Sequence, residues 1–107
     1  MAQEDKEDFA TDDTTLAELD PEIKEPSLYQ VILLNDHYTS MEFVVFILES
    51  IFNKSGAEAE QIMLAVHHQG SGIAGIYLKE IAETKITEVH SLAEKNEFPL
   101  RCTMQRM

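Results

Sequence analysis

The sequence predicts a single α/β domain of the α+β type, with the element order β-α-α-β-α-β and a three-stranded antiparallel sheet packed with three helices. Three observations predict it. The chain has 107 residues, of which 44% are hydrophobic, and this is enough apolar surface for one modest core but not for two. Short apolar runs alternate with stretches of helical periodicity. Two capping motifs mark where helices begin.

The first 25 residues differ in composition from the rest of the chain. They contain ten acidic residues and two lysines, a net charge of −8, whereas residues 26–107 contain ten acidic and six basic residues. Phe9, Leu16 and Leu19 are large apolar side chains within this segment. Such a segment cannot bury enough surface to offset the entropy of ordering it. We therefore expect a disordered acidic extension over residues 1–25 and a folded domain over residues 26–107.

The first strand and the first helix flank a polar turn. Leu28–Leu34 (LYQVILL) is an apolar run that predicts a buried strand. Residues 35–38 (NDHY) are typical of a turn. Residues 39–42 (TSME) have the spacing of a capping box, with the Thr39 hydroxyl as the expected cap. The helix that follows is expected to run to about Phe52.

Two further helices and two strands complete the predicted domain. Residues 55–58 (SGAE) form a second capping box and begin a helix that Gly70 ends. Residues 72–78 predict a short strand, and residues 79–96 predict a third helix because apolar side chains recur there at helical spacing. Apolar and polar side chains alternate over residues 100–105, which predicts a half-buried final strand.

Composition and charge exclude several classes of function. The net charge of −12 argues against a nucleic-acid-binding protein, which needs a surface of lysine and arginine. No apolar run approaches the roughly 20 residues of a membrane span, and the acidic N-terminus lacks the apolar centre of a signal peptide. Cys102 is the only cysteine and cannot form an internal disulfide. We therefore expect a reducing, cytoplasmic compartment.

The sequence offers little for catalysis. Cys102 lies on the inward face of a predicted strand, where a free cysteine usually behaves as a small apolar residue. There is no Gly-x-Ser-x-Gly elbow and no glycine-rich phosphate loop. The four histidines lack the spacings typical of metal sites. We expect a non-enzymatic protein without metal or cofactor. A small metal-dependent enzyme stays an alternative, because Asp36, His37 and His67 could converge in space.

One helix face and one turn together indicate a small pocket. Met63, Val66 and His67 stand at positions i, i+3 and i+4 of the second helix, so they share a face. That pattern alone favours a core face with a satisfied histidine. The turn at residues 35–37 (NDH) adds hydrogen-bond acceptors on a rigid frame. Acceptors beside an apolar hollow suit a free peptide N-terminus that carries a bulky first side chain.

Four segments of this sequence are typical of one known family, and they occur in that family's order. Matching residues 26–103 to the family needs no insertion or deletion. They are residues 26–44 (PSLYQVILLNDHYTSMEFV), 61–70 (QIMLAVHHQG), 82–85 (AETK) and 97–103 (EFPLRCT). In these segments the chain closely resembles ClpS, the family of adaptors of the bacterial Clp protease. The acidic extension is similar to that of the family in character only.

The resemblance implies an adaptor that binds proteins beginning with Leu, Phe, Tyr or Trp and delivers them to the Clp unfoldase and its peptidase. Such an adaptor also diverts the unfoldase from other substrates. The implied partner is the N-terminal domain of a ClpA- or ClpC-type unfoldase, and the adaptor itself is expected to be a monomer. The acidic extension is expected to contact the Clp unfoldase and its peptidase during delivery.

The resemblance also assigns roles to individual residues. The α-amino group of the substrate is expected to be bound by Asn35, Asp36, His37 and His67. Its first side chain is expected to enter a hollow lined by Thr39, Met41, Val44, Met63, Val66 and Leu100. Met41 is expected to exclude β-branched side chains, and a separate docking surface to include Glu80 and Lys85.

Two positions depart from the family pattern. His37 stands where the family usually has Asp, so one anionic partner of the ligand amine is missing, and a charge-assisted hydrogen bond contributes roughly 1.5–3 kcal/mol. Ser40 stands where the family often has Pro, and we expect little effect from that change. His37 keeps a second alternative open, namely a regulator that docks on the unfoldase but binds substrates weakly or not at all.

Overall fold

The computed structural model describes residues 26–107. Its elements are β1 (Leu28–Leu34), α1 (Met41–Ser50), α2 (Gly56–Gln69), β2 (Ser71–Leu78), α3 (Lys79–Lys95) and β3 (Arg101–Arg106). This order confirms the predicted β-α-α-β-α-β domain. The extension predicted over residues 1–25 lies outside the described residues. No helix within the described part is long and apolar enough to cross a membrane.

The three strands form one antiparallel sheet, as predicted, and their order in the sheet is β2-β1-β3. β1 is the central strand, and its Val31 and Leu33 are fully buried. The pairing of β1 with β2 shifts in register after Val31, because β2 carries Ala74 as an extra residue. Ala74 is buried, while Ile73 and Ile76 lie about half exposed. The bulge therefore turns the small side chain of β2 towards the core.

The hydrophobic core lies between the sheet and the helices. Its largest fully buried side chains come from β1, α1 and α3, and they are Val31, Leu33, Ile47, Leu48 and Val89. Burying an aliphatic side chain of this size stabilises the fold by about 1.5–3 kcal/mol. The core thus fixes the sheet against the helices that surround the candidate site.

The predicted cap of α1 is wrong by one residue. Ser40 is the N-cap, and its hydroxyl accepts a hydrogen bond of 3.1 Å from the backbone N–H of Phe43. The Thr39 hydroxyl instead donates to the carboxylate of Asp36, which is a stronger acceptor than a backbone carbonyl. A capping box needs Glu or Gln at the third helical position, but with Ser40 as the N-cap this position is Phe43. Glu42 therefore cannot form the predicted capping box.

The predicted start and end of α2 are confirmed. The Ser55 hydroxyl accepts from the backbone N–H of Glu58, and the Glu58 carboxylate accepts from the backbone N–H of Ser55, each at 3.2 Å. Gly70 ends the helix in the left-handed conformation with φ = 93°, which glycine adopts without steric cost. Its N–H donates to the carbonyl of Val66.

Both ends of β1, the end of β2 and the start of α3 agree with the prediction, and the remaining boundaries differ from it by one or two residues. α1 ends at Ser50, although Ile51 and Phe52 are still buried beyond it. α3 ends at Lys95, with Asn96 as its C-cap. Helix and strand ends fray, so differences of this size do not change the topology.

Candidate functional site

The carboxylate of Asp36 organises the loop between β1 and α1. Oδ1 accepts hydrogen bonds from the backbone N–H groups of Tyr38 (2.7 Å) and Thr39 (2.6 Å). Oδ2 accepts one from the Thr39 hydroxyl (2.7 Å). A short carboxylate suits this role because it reaches backbone groups two and three residues along the chain. Both oxygens of Asp36 are therefore engaged within the loop itself.

A backbone hydrogen bond fixes this loop against the end of α2. The N–H of Asn35 donates to the carbonyl of Gly70 over 3.0 Å. Gly70 directly follows the last turn of α2, which carries His67. The bond therefore holds two segments that are distant in sequence at a fixed separation, and it places the polar side chains of both around one opening.

An open pocket of about 350 Å³ lies between the loop and the two helices, within the size range of small-ligand sites. The lining comes from loop residues 35–40, from Met41 and Val44 of α1, and from Met63, Val66 and His67 of α2. The structure thus brings the polar turn and the predicted face of α2 together around one cavity.

The pocket has an apolar floor and a polar rim. Val44, Met63 and Val66 form the floor and are at most 8% exposed, so they belong to the hydrophobic core as well. Met41 lies at the rim and is 48% exposed. Core packing holds the floor rigid, whereas the side chain of Met41 is free to adjust.

Leu100 is not among the residues that line this pocket. It is 2% exposed and borders a small neighbouring cavity of about 10 Å³. That cavity shares five lining residues with the pocket, namely Asn35, Asp36, Thr39, Val44 and Val66. Leu100 therefore lies next to the floor of the pocket.

Charge at the site is dominated by one carboxylate and the histidines around it. Burial opposes ionisation of Asp36, but its hydrogen bonds with Thr39 and Tyr38 and the nearby His37 outweigh burial and lower its pKa below 3.8. Asp36 is therefore an anion at neutral pH. His67 and His68 stand in the last turn of α2, with ring centroids 5.2 Å apart.

The described residues contain no candidate centre for metal or thiol chemistry. Within residues 26–107, no group of three or more His, Cys, Asp or Glu side chains could hold a metal ion. Burial raises the pKa of the Cys102 thiol to about 12, although Arg101 opposes the rise. A thiol with so high a pKa is not a nucleophile at neutral pH.

The two residues expected in a docking surface both lie on α3. Glu80 is exposed in its first turn. Lys85 is half-buried, and its Nζ donates a hydrogen bond of 2.7 Å to the carbonyl of Ile51. The same ammonium lies 5.6 Å from the centre of the Tyr77 ring. Lys85 is thus already engaged in joining α3 to the end of α1.

Tyr38 and Ser40 also line the pocket, although the sequence assigned neither of them an individual role in binding. Tyr38 is 79% exposed, the highest value among the large hydrophobic residues described. Its position directly after the turn was the available signal, since neighbouring residues of a tight loop share one opening.

The sequence analysis also missed a hydrogen bond between α3 and β3. The N–H of Cys102 donates to Nε2 of His90 over 3.1 Å, and no spacing in the sequence indicates this bond.

Comparison with known protein families and proteins defines the class of this protein. Residues 24–103 match the family model described as "ATP-dependent Clp protease adaptor protein ClpS". Proteins of this class are protease adaptors and are not enzymes themselves. The chain belongs to the ClpS family, and it is therefore an adaptor of the Clp protease, with a Clp chaperone as its partner.

Individual relatives agree with the family model. The chain is 58% identical over 87 residues to the ClpS adapter of Desulfotalea psychrophila, covering 81% of this chain and 85% of that protein. It is 48% identical over 93 residues to the ClpS adapter of Caulobacter vibrioides (strain NA1000), covering 87% and 85%.

A solved structure shares the fold. It is Agrobacterium tumefaciens ClpS2 bound to L-phenylalaninamide, which superimposes with a TM-score of 0.75 at 37% identity and covers 78% of this chain and 100% of that one. The predicted membership of the ClpS family is thereby confirmed.

Proposed function

We propose that this adaptor binds the free N-terminus of proteins that begin with Leu, Phe, Tyr or Trp and delivers them to the Clp unfoldase and its peptidase. By occupying the unfoldase it also modulates the choice of substrates. The observation that carries the proposal is the pocket itself, in which the buried floor of Val44, Met63 and Val66 lies directly beside Asn35 and His67.

The ligand of the Agrobacterium protein has the chemistry that this pocket suits. L-Phenylalaninamide, to which that ClpS2 is bound, carries a free α-amino group, a phenyl side chain and an amide in place of the next peptide bond. It therefore reproduces the first residue of a polypeptide. An apolar floor accepts the ring, and acceptors at the rim accept the amine.

In this proposal the amine is held by the Asn35 side-chain oxygen and by an imidazole nitrogen of His67. Both groups line the pocket and can accept a hydrogen bond. The oxygens of Asp36 are engaged with Tyr38 and Thr39. Asp36 therefore contributes its negative charge and the shape of the loop more than a dedicated contact. The His37 imidazole adds a further acceptor.

The first side chain supplies the larger part of the affinity. Burying a Leu or Phe side chain contributes about 1.5–3 kcal/mol, and two or three amine hydrogen bonds contribute a few more. Ordering the ligand offsets much of this gain. We therefore expect dissociation constants of micromolar order. Thr39 and Met41 line the pocket, and Leu100 borders the small cavity next to its floor.

Docking on the unfoldase is assigned to a separate surface on α3. We propose that Glu80 and its surroundings contact the N-terminal domain of a ClpA- or ClpC-type unfoldase. In this proposal Lys85 lies within the surface but is not its main contact, because its ammonium already donates a hydrogen bond to the carbonyl of Ile51. In this proposal the adaptor acts as a monomer in the cytoplasm.

A second candidate is a regulator that docks on the unfoldase but binds substrates weakly. The engaged oxygens of Asp36 and the imidazole of His37 favour it, because the rim then offers the amine no unengaged carboxylate. His37→Asp separates the two candidates. If the missing carboxylate limits binding, this variant raises the affinity for a Leu-initiated peptide by about tenfold or more.

A degradation assay tests the proposed function. Reporters beginning with free Leu, Phe or Val are incubated with the Clp unfoldase and peptidase, with and without this adaptor. We expect the adaptor to accelerate loss of the Leu and Phe reporters and to leave the Val reporter unchanged. Inhibition of a reporter without an N-terminal signal, together with no acceleration of the Leu reporter, would favour the regulator.

A further inference from the structure

The sheet has an outer face, opposite the core, whose apolar side chains remain exposed. Along β1 the buried Val31 and Leu33 alternate with side chains that point to this face, and strand pairing continues it across β2 and β3. Its large apolar side chains are 39–47% exposed, and they are Leu28, Leu34, Ile73, Ile76 and Leu78. None of them belongs to the hydrophobic core or packs against it. They make up five of the eleven exposed large hydrophobic residues of the described chain, so exposure is concentrated on one surface.

These side chains form one continuous patch. Leu28 lies opposite Leu78 on the neighbouring strand, and Ile32 lies opposite Ile73. Side chains that face each other across an antiparallel pair have Cβ atoms about 4.5–5.5 Å apart, so they touch. Single exposed apolar residues are ordinary on a protein surface, whereas a contiguous apolar patch marks a place where another surface binds.

The sheet is also free of acidic residues. Its strands contain two arginines and no other charged side chain, whereas the ten acidic residues of residues 26–107 all lie in helices and loops. Two cations lie where β1 begins. Nε of Arg106 donates a hydrogen bond of 2.9 Å to the Ser27 hydroxyl, and Lys79 lines a cavity of about 430 Å³ together with Ser27. Glu80 is the one acidic residue that lines this cavity, so this end of the sheet favours an acidic partner.

The acidic extension joins the domain at this same end. Residues 1–25 lie outside the described residues, and their last residue stands three positions before Leu28, the first apolar side chain of the outer face. The extension has a net charge of −8, and its final ten residues include Leu16, Leu19 and Ile23. Ten residues can span at most about 33–36 Å. The seven residues of β1 extend only about 24 Å at the usual rise of a strand, so the segment is long enough to follow the whole face.

We propose that residues 16–25 pack on the outer face of the sheet, where their three large apolar side chains contact its leucines and isoleucines and their acids lie beside Lys79 and Arg106. The inference does not depend on the proposed function of the pocket. The short connection keeps the segment at a high effective concentration near the face, so modest contacts suffice. A second copy of the chain is a poorer occupant, because two chains of net charge −12 repel each other.

A single tryptophan tests whether the segment is covered. The chain contains no tryptophan, so Leu19→Trp in the full-length protein provides one apolar reporter within the segment. The reference is a synthetic peptide of residues 1–25 with the same substitution. We expect emission at a shorter wavelength in the protein than in the peptide. We also expect an acrylamide quenching constant of about half the peptide's value or less, because quenching averages over the docked and the free segment.

A second substitution identifies the surface that covers the reporter. Ile76→Ser, added to Leu19→Trp, removes an apolar side chain from the outer face, and we expect it to raise the quenching constant towards that of the peptide. Phe46→Ser is the matched control, because Phe46 is 49% exposed, close to the 46% of Ile76, but lies on α1. It should leave the quenching constant unchanged.

Three results would overturn the inference. The first is equal emission and quenching in the full-length protein and in the peptide. The second is shielding that Ile76→Ser leaves unchanged, since another surface would then cover the reporter. The third is shielding that increases with protein concentration, because that would make a second copy of the chain the occupant.

Discussion

The Thr39 hydroxyl lies 2.7 Å from Oδ2 of Asp36 and donates a hydrogen bond to it. The same carboxylate accepts the backbone N–H groups of Tyr38 and Thr39 through Oδ1. Three hydrogen bonds therefore hold the loop in one conformation before any ligand arrives. A loop ordered in advance reduces the entropy that ligand binding must offset.

Removing the Thr39 hydroxyl tests this preorganisation. Thr39→Val keeps the side-chain shape but deletes one hydrogen bond to a charged partner. Such a bond contributes roughly 1.5–3 kcal/mol, and only part of it is lost from binding because two other bonds still order the loop. We therefore expect the affinity for a Leu-initiated peptide to fall about three- to tenfold. Thr87→Val is the matched control, since its hydroxyl donates to the carbonyl of Glu83 on exposed α3. Equal losses in the two variants would contradict the account.

A second prediction concerns the packing beneath the pocket floor. A Cβ added at Gly72 would lie 2.8 Å from Cγ2 of Val66 and 3.2 Å from the carbonyl oxygen of Ile62. Gly72→Ala must therefore displace Val66 towards the pocket. We expect a loss of about 1–3 kcal/mol in the free energy of unfolding, measured by urea denaturation, together with weaker peptide binding.

Gly56→Ala is the control for that substitution. A Cβ at Gly56 would meet only the end of the Glu49 side chain at 3.4 Å, and it lies in the first turn of α2, where alanine is the better helix former. We expect unchanged or slightly higher stability. If Gly72→Ala proved as stable as this control, the close approach of β2 to Val66 would be wrong.

A third prediction concerns selectivity at the entrance. Met41 is half exposed and lines the pocket, and in the proposed function its side chain restricts which first residues can enter. Met41→Ala should admit β-branched first residues, so the affinity for an Ile-initiated peptide should rise about tenfold or more relative to Leu. Phe46→Ala, an exposed site on the same helix outside the pocket lining, should leave that ratio unchanged. No change in Met41→Ala would remove its role as a gate.

A fourth prediction follows from the environment of His90. Burial, assisted by the positive charge of Arg101, lowers the pKa of His90 below 6.5. The unfolded chain therefore takes up this proton at a higher pH than the folded chain. The free energy of unfolding is therefore highest above pH 6.5. It falls as the pH drops from 6.5 towards the pKa of His90 in the folded chain.

Urea denaturation at pH 7.5, 6.5 and 5.5 measures this loss. His90→Gln cannot titrate, yet its amide oxygen can still accept the N–H of Cys102 that His90 accepts at 3.1 Å. We expect the free energy of unfolding of the wild type to fall more steeply with acidification than that of the variant. His68→Gln, at an exposed site, should follow the wild type. Parallel profiles for the wild type and His90→Gln would exclude the assigned shift.

Local rules predicted the fold because its signals lie within a few residues of one another. Ser55 and Glu58 stand at the capping-box spacing, and both of its hydrogen bonds are present. The same rule placed the cap of α1 at Thr39 because adjacent Thr and Ser compete for that role. The choice between them depends on Asp36, whose carboxylate accepts a hydrogen bond from the Thr39 hydroxyl, while Ser40 caps the helix.

The rest of the site depends on contacts between distant residues. The bond from the Asn35 N–H to the carbonyl of Gly70 joins the loop to the end of α2, and no spacing in the sequence reveals it. The bond from Lys85 to Ile51 is of the same kind. Burial patterns could place Leu100 in the core, but they could not tell whether it borders the pocket itself or the small cavity next to it.

The affinity for a Leu-initiated peptide with and without an acetyl group on its α-amine tests the central claim most directly. Fluorescence anisotropy compares the two forms of one sequence, so the side chain and every later residue are held constant. The account predicts binding of micromolar order for the free amine and a loss of at least about tenfold on acetylation, because Asn35 and His67 then face an amide in place of an ammonium. Equal affinity for the two forms would contradict it.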